Sequence, residues 1–318
     1  MKILVTGSAG HLGEALMRTL RDQGKSVVGI DLLPSPFTDV VGDIANRKLV
    51  DDCLRGISHV LHTATLHKPH VATHARQVFV DTNVTGTLNL LEAAVANKVK
   101  AFVFTSTTST FGDALTPPPG SPAAWITEDV VPIPKNIYGV TKTAAEDLCR
   151  LFHRNAKLPC LVLRTSRFFP EEDDVAERAS AYEDANLKVN ELLYRRVDVE
   201  DVASSVQLAM EKAPALGFGK FIITATTPFQ REDLAQLGTD APTVLAKYFP
   251  EYPQIYAGLG WKMLPTLDRV YVNTRARELL GWQPKYDFAH ALRCVAAGKD
   301  YRSPITSSIG SKGYHRVA

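Results

Sequence analysis

The run Thr6-Gly7-Ser8-Ala9-Gly10-His11-Leu12-Gly13 decides the fold, because it joins a short apolar segment to an amphipathic one. Gly7 permits a tight turn, Gly10 lets the backbone approach a pyrophosphate, and Gly13 lets the following helix pack closely on the strand. The start of that helix also presents unpaired N–H groups and the positive end of its dipole to phosphates. We therefore predict a dinucleotide-binding turn with these contacts: Gly7, Gly10, His11, Leu12 and Gly13.

Short β-branched runs alternate with helical spacing through the first half of the chain. The predicted strands are Ile3–Thr6, Ser26–Ile30, His59–Leu61, Ala101–Thr105 and Leu161–Arg164. The predicted helices are Leu12–Gln23, Val84–Asn97 and Tyr138–Asn155. Such alternation produces βαβ units and a parallel sheet with helices on both faces. The predicted fold class is therefore α/β, a Rossmann-type doubly wound parallel sheet followed by a smaller C-terminal region.

The regular alternation ends near residue 166, and we place a domain boundary there. Residues 1–165 are predicted to form the dinucleotide-binding domain, joined by a helix and a strand that return at about 197–224. Residues 166–318 are predicted to form mainly a discontinuous substrate-binding region.

Within that region the pattern is less regular. It predicts mostly helix over Arg231–Phe249, loops over Pro250–Pro265 and a short helix over Thr274–Leu280. The tail 302–318 is rich in serine and glycine, so it is either disordered or ordered on a partner subunit. The proline-rich segment Thr116–Pro122 is predicted to be a surface loop, with a lid as one role.

Composition excludes several classes of protein. The 318 residues are 45% hydrophobic and 22% charged, as in an ordinary globular protein, and the net charge of +2 is too small to indicate nucleic acid or an anionic membrane as partner. No apolar run approaches the roughly 20 residues that cross a bilayer. The four cysteines show no CxxC spacing and are predicted to be reduced, which makes a cytoplasmic location the default.

Two acidic positions near the second and third strands predict contacts with the adenosine part of the cofactor. Asp31 lies 18 positions beyond Gly13 at the end of the second strand, where a carboxylate accepts hydrogen bonds from ribose hydroxyls. It would repel a 2′-phosphate, which favours NAD over NADP. Asp43 and Ile44 are predicted to hold the adenine; the alternative is that Asp43 caps a helix over Asn46–Arg55.

Tyr138 and Lys142 lie one turn apart on a predicted helix and therefore share a face. A phenol with a pKa of about 10 is a poor base at neutral pH. A lysine cation, together with the positive charge of a nicotinamide, would lower that pKa. Tyr138 is therefore the candidate acid/base, and Lys142 the candidate partner that also binds the nicotinamide ribose. A tyrosine and a lysine at this spacing are common on ordinary helices. The catalytic interpretation therefore depends on the glycine-rich turn that accompanies them.

Several further segments carry a family resemblance. They are Asn83-Val84-Thr85-Gly86-Thr87, the strand-end run Phe102–Thr107, Tyr138-Gly139-Val140-Thr141-Lys142, Val197–Ala203 and Ala276–Pro284. With the glycine-rich turn, their order and spacing resemble the extended short-chain dehydrogenase/reductase family, also called the NAD-dependent epimerase/dehydratase family. The resemblance covers nearly the whole chain and implies a Rossmann fold, NAD as cofactor, and Tyr138 and Lys142 as catalytic residues.

The resemblance also implies roles for residues outside the tyrosine helix. Thr107 is the third of a run of small hydroxyl residues and would bind the substrate oxygen beside Tyr138; Ser106 or Thr108 takes this role if the register is off by one. Asn83 is implied to have a structural or water-positioning role near the lysine, within the cofactor site. The residues implied to lie along the cofactor after the fourth strand are Thr63, Ala64 and Thr65.

The range of possible reactions is reduced by residues that this chain lacks. Dehydratases of the family carry Asp-Glu directly after the catalytic threonine, whereas Thr107 is followed by Thr108-Ser109. The cysteine of 3,5-epimerases and related reductases is absent from this stretch as well. We therefore expect simple oxidation or reduction at one carbon, or 4-epimerisation of a sugar. A non-catalytic NAD(H)-sensing protein is a third alternative, which the intact Thr107, Tyr138 and Lys142 disfavour.

The substrate segment departs from that of sugar-nucleotide enzymes. Arg167 replaces the asparagine that supports a diphosphate, and only 26 residues separate Pro170 from Val197. Both features favour a smaller, anionic substrate, which an arginine binds bidentately. The alternative is that Arg167 pairs with a following carboxylate: Glu171, Glu172 or Asp173.

Three histidines, His67, His70 and His74, share one loop after the fourth strand. Their spacing matches no strong metal motif, so no metal is expected, and His67 or Lys68 is predicted to contact substrate together with Thr108. A homodimer is predicted through the helices Val84–Asn97 and Tyr138–Asn155, as is common in the family. Their small residues also suit packing within one chain.

Overall fold

The computed structural model describes residues 1–118, 120–171 and 176–313. In this part of the chain, seven parallel strands form a sheet of order β3-β2-β1-β4-β5-β7-β8. The strands are β1 (Lys2–Thr6), β2 (Ser26–Asp31), β3 (Val40–Val41), β4 (His59–His62), β5 (Ala101–Thr107), β7 (Cys160–Thr165) and β8 (Phe218–Ile223). Two short strands, β6 (Ala124–Ile126) and β9 (Arg269–Tyr271), pair with each other in parallel.

Helices follow the strands in the alternation that the sequence predicts. They are α1 (His11–Asp22), α2 (Arg47–Cys53), α3 (Arg76–Val80), α4 (Gly86–Ala96), α5 (Ile137–Ala156), α6 (Ala176–Ala181), α7 (Asp184–Glu191), α8 (Val199–Leu216), α9 (Leu234–Leu237), α10 (Ala241–Tyr248), α11 (Tyr252–Leu259), α12 (Thr274–Leu280), α13 (Phe288–Ala296) and α14 (Pro304–Ile309). Short 3₁₀ turns cover Lys68–Ala72, Thr108–Thr110, Asp113–Leu115 and Arg231–Asp233. A π-helical turn, Asp81–Thr85, leads into α4.

The central strands are buried on both faces, which explains their near-continuous apolar sequence. Ile3 and Val5 of β1 pack on one side of the sheet with α1 and α8. Leu4, between them, points to the other side and packs in the core that α4 and α5 cover. The strand order reverses between β1 and β4, and in such sheets ligands bind at this point outside the carboxyl ends of the strands. The predicted Rossmann-type architecture is confirmed.

The C-terminal region builds a second apolar core of its own. Side chains from α7, α10, α11 and α13 meet there, with Tyr252 and Tyr256 packed edge to face. The predicted returning elements are α8 and β8, which join the main sheet. Trp282 and α12 also pack into the sheet core, so the chain crosses between the two cores more than once. The domain boundary near residue 166 stays a prediction.

Two expectations for the C-terminal half are wrong. Pro250–Pro265 is not purely loop, because α11 occupies Tyr252–Leu259 and buries Tyr252 and Tyr256. The tail is ordered on its own chain as far as residue 313. Ser303 caps α14 and is fully buried, and its N–H donates to Asp198. Residues 314–318 lie outside the described residues.

No helix among the described residues is both long and apolar enough to cross a membrane. All four cysteines are unpaired thiols, and Cys149 and Cys160 are buried.

Candidate active site

One cavity of about 670 Å³ runs along the carboxyl ends of the central strands, a size typical of small-molecule sites. It contains nearly all the residues that the sequence predicts for the cofactor and the substrate. Those lining it are Gly7, Gly10, His11, Leu12, Gly13, Asp31, Asp43, Ile44, Thr63, Ala64, Thr65, His67, Thr107, Thr108, Tyr138 and Arg167. Asn83 and Lys142 lie behind its wall.

The glycine-rich turn leaves no room for side chains at two positions. Gly7 has φ +72°, and a Cβ there would lie 2.7 Å from the backbone nitrogen of Ala64. A Cβ on Gly13 would lie 1.9 Å from the carbonyl oxygen of Gly7. These contacts are with backbone atoms, which cannot move aside as a flexible side chain could. The turn is therefore packed as a pyrophosphate-binding turn requires, and the N-terminus of α1 faces the cavity.

Asp31 links the glycine-rich turn to the end of β2. Its two carboxylate oxygens accept hydrogen bonds from the backbone nitrogens of Ala9 and Leu33, each at 2.9 Å. A carboxylate oxygen accepts more than one hydrogen bond, so Asp31 retains capacity for ribose hydroxyls. Its place on the cavity wall agrees with the predicted role.

The structure decides against Asp43 as the cap of α2. Asn46 is the N-cap, and its side chain accepts a hydrogen bond from Leu49 N at 3.2 Å. Asp43 instead accepts from Ala45 N at 2.8 Å and faces the cavity beside Ile44. Ile44 is buried against Gly86, where a Cβ would come within 2.6 Å of it. The pair therefore lies where the adenine contact was predicted.

Asn83 holds the loop after β4 in place and does not line the cavity. Its side-chain oxygen accepts from Thr65 Oγ1 and Leu66 N, both at 2.9 Å. Its side-chain nitrogen donates to Leu66 O at 3.0 Å and to Thr141 Oγ1 at 3.1 Å. Because this amide is fully engaged, the structure supports the predicted structural role. A direct contact of Asn83 with the cofactor stays a prediction, as does that of Thr65, which lines the cavity.

Thr107 and Tyr138 meet at the wall of the cavity. Tyr138 lies in the first turn of α5, and its ring is only 7% exposed. Burial raises the pKa of Tyr138 to about 12, although the nearby Thr107 side chain acts in the opposite direction. Thr107 also lines the cavity, which favours it over its neighbours as the hydroxyl that works beside the tyrosine.

The neighbouring hydroxyls have other partners or positions. Ser106 donates to Glu146 Oε1 at 2.6 Å, in a buried cluster behind the sheet edge. Thr108 begins a 3₁₀ turn and lines the cavity, so a substrate contact there remains a prediction. The alternative register that gave Ser106 the catalytic role is not supported.

Lys142 is buried beneath the cavity, and its side-chain hydrogen bond is with a backbone carbonyl and not with Tyr138. Its ammonium donates to Thr105 O at 2.6 Å and lies 4.0 Å from the centroid of the Phe104 ring. Burial lowers the pKa of Lys142 to about 7, although the charge of Glu146 acts in the opposite direction. In the protein alone the lysine therefore does not lower the tyrosine pKa as expected.

A buried cluster of charged residues, one helical turn beyond Lys142, holds α5 against the sheet. Glu146 is fully buried and pairs with Arg164 Nη2 at 2.7 Å and Lys220 Nζ at 2.7 Å. Burial alone would raise its pKa, but Arg164 and Lys220 hold it below the usual value. With Ser106, these partners come from β5, β7 and β8, so one carboxylate ties the catalytic helix to three adjacent strands.

Four arginines line one part of the cavity: Arg167, Arg178, Arg195 and Arg269. Arg167 Nη1 lies 3.6 Å from Glu191 Oε1, and Arg195 and Arg196 pair with the same carboxylate. Burial would raise the pKa of Glu191, but the three arginines lower it to about 2. Of the predicted alternative partners of Arg167, Glu171 is bonded elsewhere, and Glu172 and Asp173 lie outside the described residues.

Sequence reasoning missed several groups that line the cavity. Arg178, Arg195 and Arg269 come from α6, from the loop after α7 and from β9, and no local spacing brings these elements together. Lys312 and Gly313 reach the cavity from the tail. Only the tertiary fold places them there.

The histidine loop packs on the aromatic pair that follows β7. The His67 ring stacks on Phe169, with centroids 4.9 Å apart, and also lines the cavity. Among residues 1–118, 120–171 and 176–313, no group of three or more His, Cys, Asp or Glu side chains is arranged to hold a metal. Substrate contact through His67 stays a prediction.

The comparison with protein families identifies the class. Residues 3–217 match the model of the NAD dependent epimerase/dehydratase family. The chain therefore belongs to this family and is an NAD-dependent oxidoreductase or epimerase of the extended short-chain type. The predicted family, enzyme class and cofactor are confirmed.

Individual relatives carry several activities. The low-salt glycan biosynthesis protein Agl12 of Haloferax volcanii is 26% identical and covers 93% of this chain and 97% of its own length. A UDP-glucose 4-epimerase of Halalkalibacterium halodurans is 33% identical, but over only 48% of this chain and 46% of the relative. A short-chain dehydrogenase/reductase superfamily protein of Agrobacterium tumefaciens, solved with NAD, has a TM-score of 0.67, 26% identity and coverage of 93% and 96%.

Proposed function

We propose that this enzyme transfers a hydride at a secondary alcohol or ketone carbon of a sugar-like, anionic small molecule, with Tyr138 as acid/base. The observation that carries the proposal is that Tyr138 and Thr107 line the same cavity as the glycine-rich turn. NAD, when bound, accepts or returns the hydride.

The protein's own groups perform the proton chemistry. In the oxidation direction, Thr107 orients the substrate hydroxyl and Tyr138 removes its proton as the adjacent carbon loses a hydride. In the reverse direction Tyr138 returns the proton to the carbonyl oxygen. Lys142, held by Thr105 O, would support the phenolate electrostatically when its ammonium is charged.

Dehydration lacks the groups it needs. The acidic residues among the described lining of the cavity are Asp31 and Asp43, both at the adenosine end. Thr108 and Ser109 follow the catalytic threonine and cannot serve as a second acid/base pair. The residues around Thr107 and Tyr138 therefore fit oxidation or reduction at one carbon best.

The arginines at the cavity support an anionic substrate. Arg167, Arg195 and Arg196 all pair with the carboxylate of Glu191. Arg167 and Arg195 also line the cavity. A guanidinium in this position can bind a carboxylate or phosphate on the substrate through bidentate hydrogen bonds.

The test is a panel of sugars, sugar acids, sugar phosphates and nucleotide sugars with NAD. We expect NADH absorbance at 340 nm to rise with an acidic sugar-like alcohol, and the rise to vanish in Tyr138→Phe. Full turnover by Tyr138→Phe on the identified substrate would refute the mechanism.

A 4-epimerase is the second candidate, because two relatives with that name match 48% and 92% of this chain and Lys312 contacts the cofactor turn. An epimerase produces no net NADH, so chromatography of the same reactions would show an interconverted sugar instead. Product without absorbance change would select this alternative.

We also propose a homodimer through α4 and α5. Of the small residues on these helices, Ala93, Ala94 and Ala145 are buried inside the chain and are not available to a partner, whereas Ala96 is exposed and Ala144 is half-buried. Val140 and Leu151 of α5 are 50% and 37% exposed, and they remain for an interface. Leu151→Glu should lower the mass measured by light scattering; an unchanged mass would exclude this surface.

A reducing compartment suits the cysteines. Cys149 and Cys160 are buried neighbours whose side chains interact, yet they remain thiols. We therefore place the enzyme in the cytoplasm. Fractionation followed by detection of the protein tests this location, and recovery from an oxidising compartment would contradict it.

A further inference from the structure

The described end of the tail folds back onto the cofactor turn. Lys312 and Gly313 line the same cavity as Gly10 and His11, although they are some 300 positions away in the sequence. We call Ser311–Gly313 the C-terminal strap.

Glu171 fastens the strap. Its Oε1 accepts hydrogen bonds from Ser311 Oγ at 3.1 Å, Lys312 N at 2.9 Å and Gly313 N at 3.1 Å. The same oxygen lies 3.0 Å from His11 Nε2, at the start of α1. Burial would raise the pKa of Glu171, but His11 and the Lys312 amide lower it to about 2. The carboxylate is therefore charged at neutral pH and holds the strap against the turn.

The Lys312 ammonium lies at the mouth of the glycine-rich turn. It donates to Ala9 O at 2.7 Å and pairs with the Glu14 carboxylate. Glu14 is in the first turn of α1, is 7% exposed and also pairs with Arg18 at 2.6 Å. A carboxylate there repels phosphate groups, whereas the helix start attracts them. Lys312 offsets the charge of Glu14 where the phosphates should bind.

We propose that the C-terminal strap is part of the NAD site: Lys312 favours binding of the cofactor diphosphate, and the strap slows release of the cofactor. The proposal rests on the NAD dependence of the family. It adds a binding residue from outside the N-terminal half, and it makes retention of the cofactor a property of the tail.

The test compares Lys312→Met with the wild type in NAD and NADH titrations and in stopped-flow displacement of NADH. Methionine keeps the length of the side chain and removes the charge. We expect the Kd of both nucleotides to rise about fivefold to tenfold and NADH to dissociate faster. Lys299→Met, an exposed lysine beyond α13, is the matched control and should leave both quantities unchanged.

Two further comparisons separate charge from folding. In a Glu14→Gln background, Lys312→Met should weaken binding less than it does alone, because Glu14 no longer needs neutralising. A chain ending after Gly313 should keep wild-type Kd and release rate, whereas one ending after Gly310 should match or exceed Lys312→Met. Unchanged Kd and release in both Lys312→Met and the shorter chain, with unchanged melting temperature, would overturn the proposal. A wild-type protein that fails to bind NAD would instead overturn the functional assignment.

Discussion

The two ends of the cavity are formed by different parts of the chain: mainly backbone at one end and mainly side chains at the other. The cofactor end consists of backbone held at van der Waals distance, with Gly7 and Gly13 packed against neighbouring main chain. The substrate end consists of long side chains, with Arg167 and Arg195 gathered around the buried Glu191. Backbone packing tolerates no added atom, whereas long side chains can be exchanged one at a time. The first end therefore fixes the cofactor, and the second end is where specificity can change.

The largest effect is expected where the two ends meet. Tyr138→Phe should lower kcat by about 10³-fold, because it removes the acid/base, and should leave the Kd for NAD unchanged. Steady-state kinetics and calorimetric titration measure the two quantities. Tyr252→Phe, which removes a phenol bonded to Pro242 O away from the cavity, is the control and should keep full turnover. A loss of NAD affinity equal to the loss of kcat would mean that the tyrosine serves binding.

Gly13→Ala tests the backbone end. The new Cβ would overlap the Gly7 carbonyl, so the turn must shift. We expect the free energy of unfolding to fall by about 1–3 kcal/mol and NAD to bind at least tenfold more weakly. Gly258→Ala in α11, where a Cβ meets nothing within 4 Å, should change neither. Normal NAD binding by Gly13→Ala would show that the turn is not the pyrophosphate site.

Arg167→Met tests the side-chain end. It should raise KM for an anionic substrate about tenfold while kcat and the Kd for NAD change little. A neutral analogue of the substrate should show no such difference. Arg293→Met, on the exposed part of α13, is the control. If KM for the anion is unaffected, Arg167 serves only to neutralise Glu191.

The smallest effect is a cofactor-dependent ionisation. Since burial raises the pKa of Tyr138 to about 12, the phenol of the protein alone should stay protonated between pH 8 and 10.5. Oxidised NAD should lower that pKa, so tyrosinate absorbance at 295 nm, taken as wild type minus Tyr138→Phe, should appear in this window. NADH, whose nicotinamide is neutral, should not produce it. Equal absorbance with both nucleotides would contradict the electrostatic role of the cofactor ring.

Local signals made the cofactor end predictable from sequence. The glycine spacing, the i, i+4 placement of Tyr138 and Lys142 and the strand-end threonines each act within a few residues. One alternative stayed open for an equally local reason. Asp43 and Asn46 are three positions apart and both can cap a helix, so only the structure could show that Asn46 does.

The substrate end and the tail could not be predicted in the same way. Arg178, Arg195 and Arg269 converge from separate elements, and their convergence depends on how the second core packs. Lys312 looks like part of a flexible serine- and glycine-rich tail, because the partner that orders it, Glu171, is distant in sequence. Composition indicates how a segment behaves in isolation, whereas the order of this tail depends on its contact with Glu171.

The Glu146 cluster determines how the catalytic helix is held. It joins α5 to β5, β7 and β8 through buried ion pairs and a hydrogen bond, so it ties the helix that carries Tyr138 to the sheet. None of these contacts involves a group that binds substrate. The position of the acid/base should therefore be set before the substrate arrives, and the bound molecule has to adapt to it.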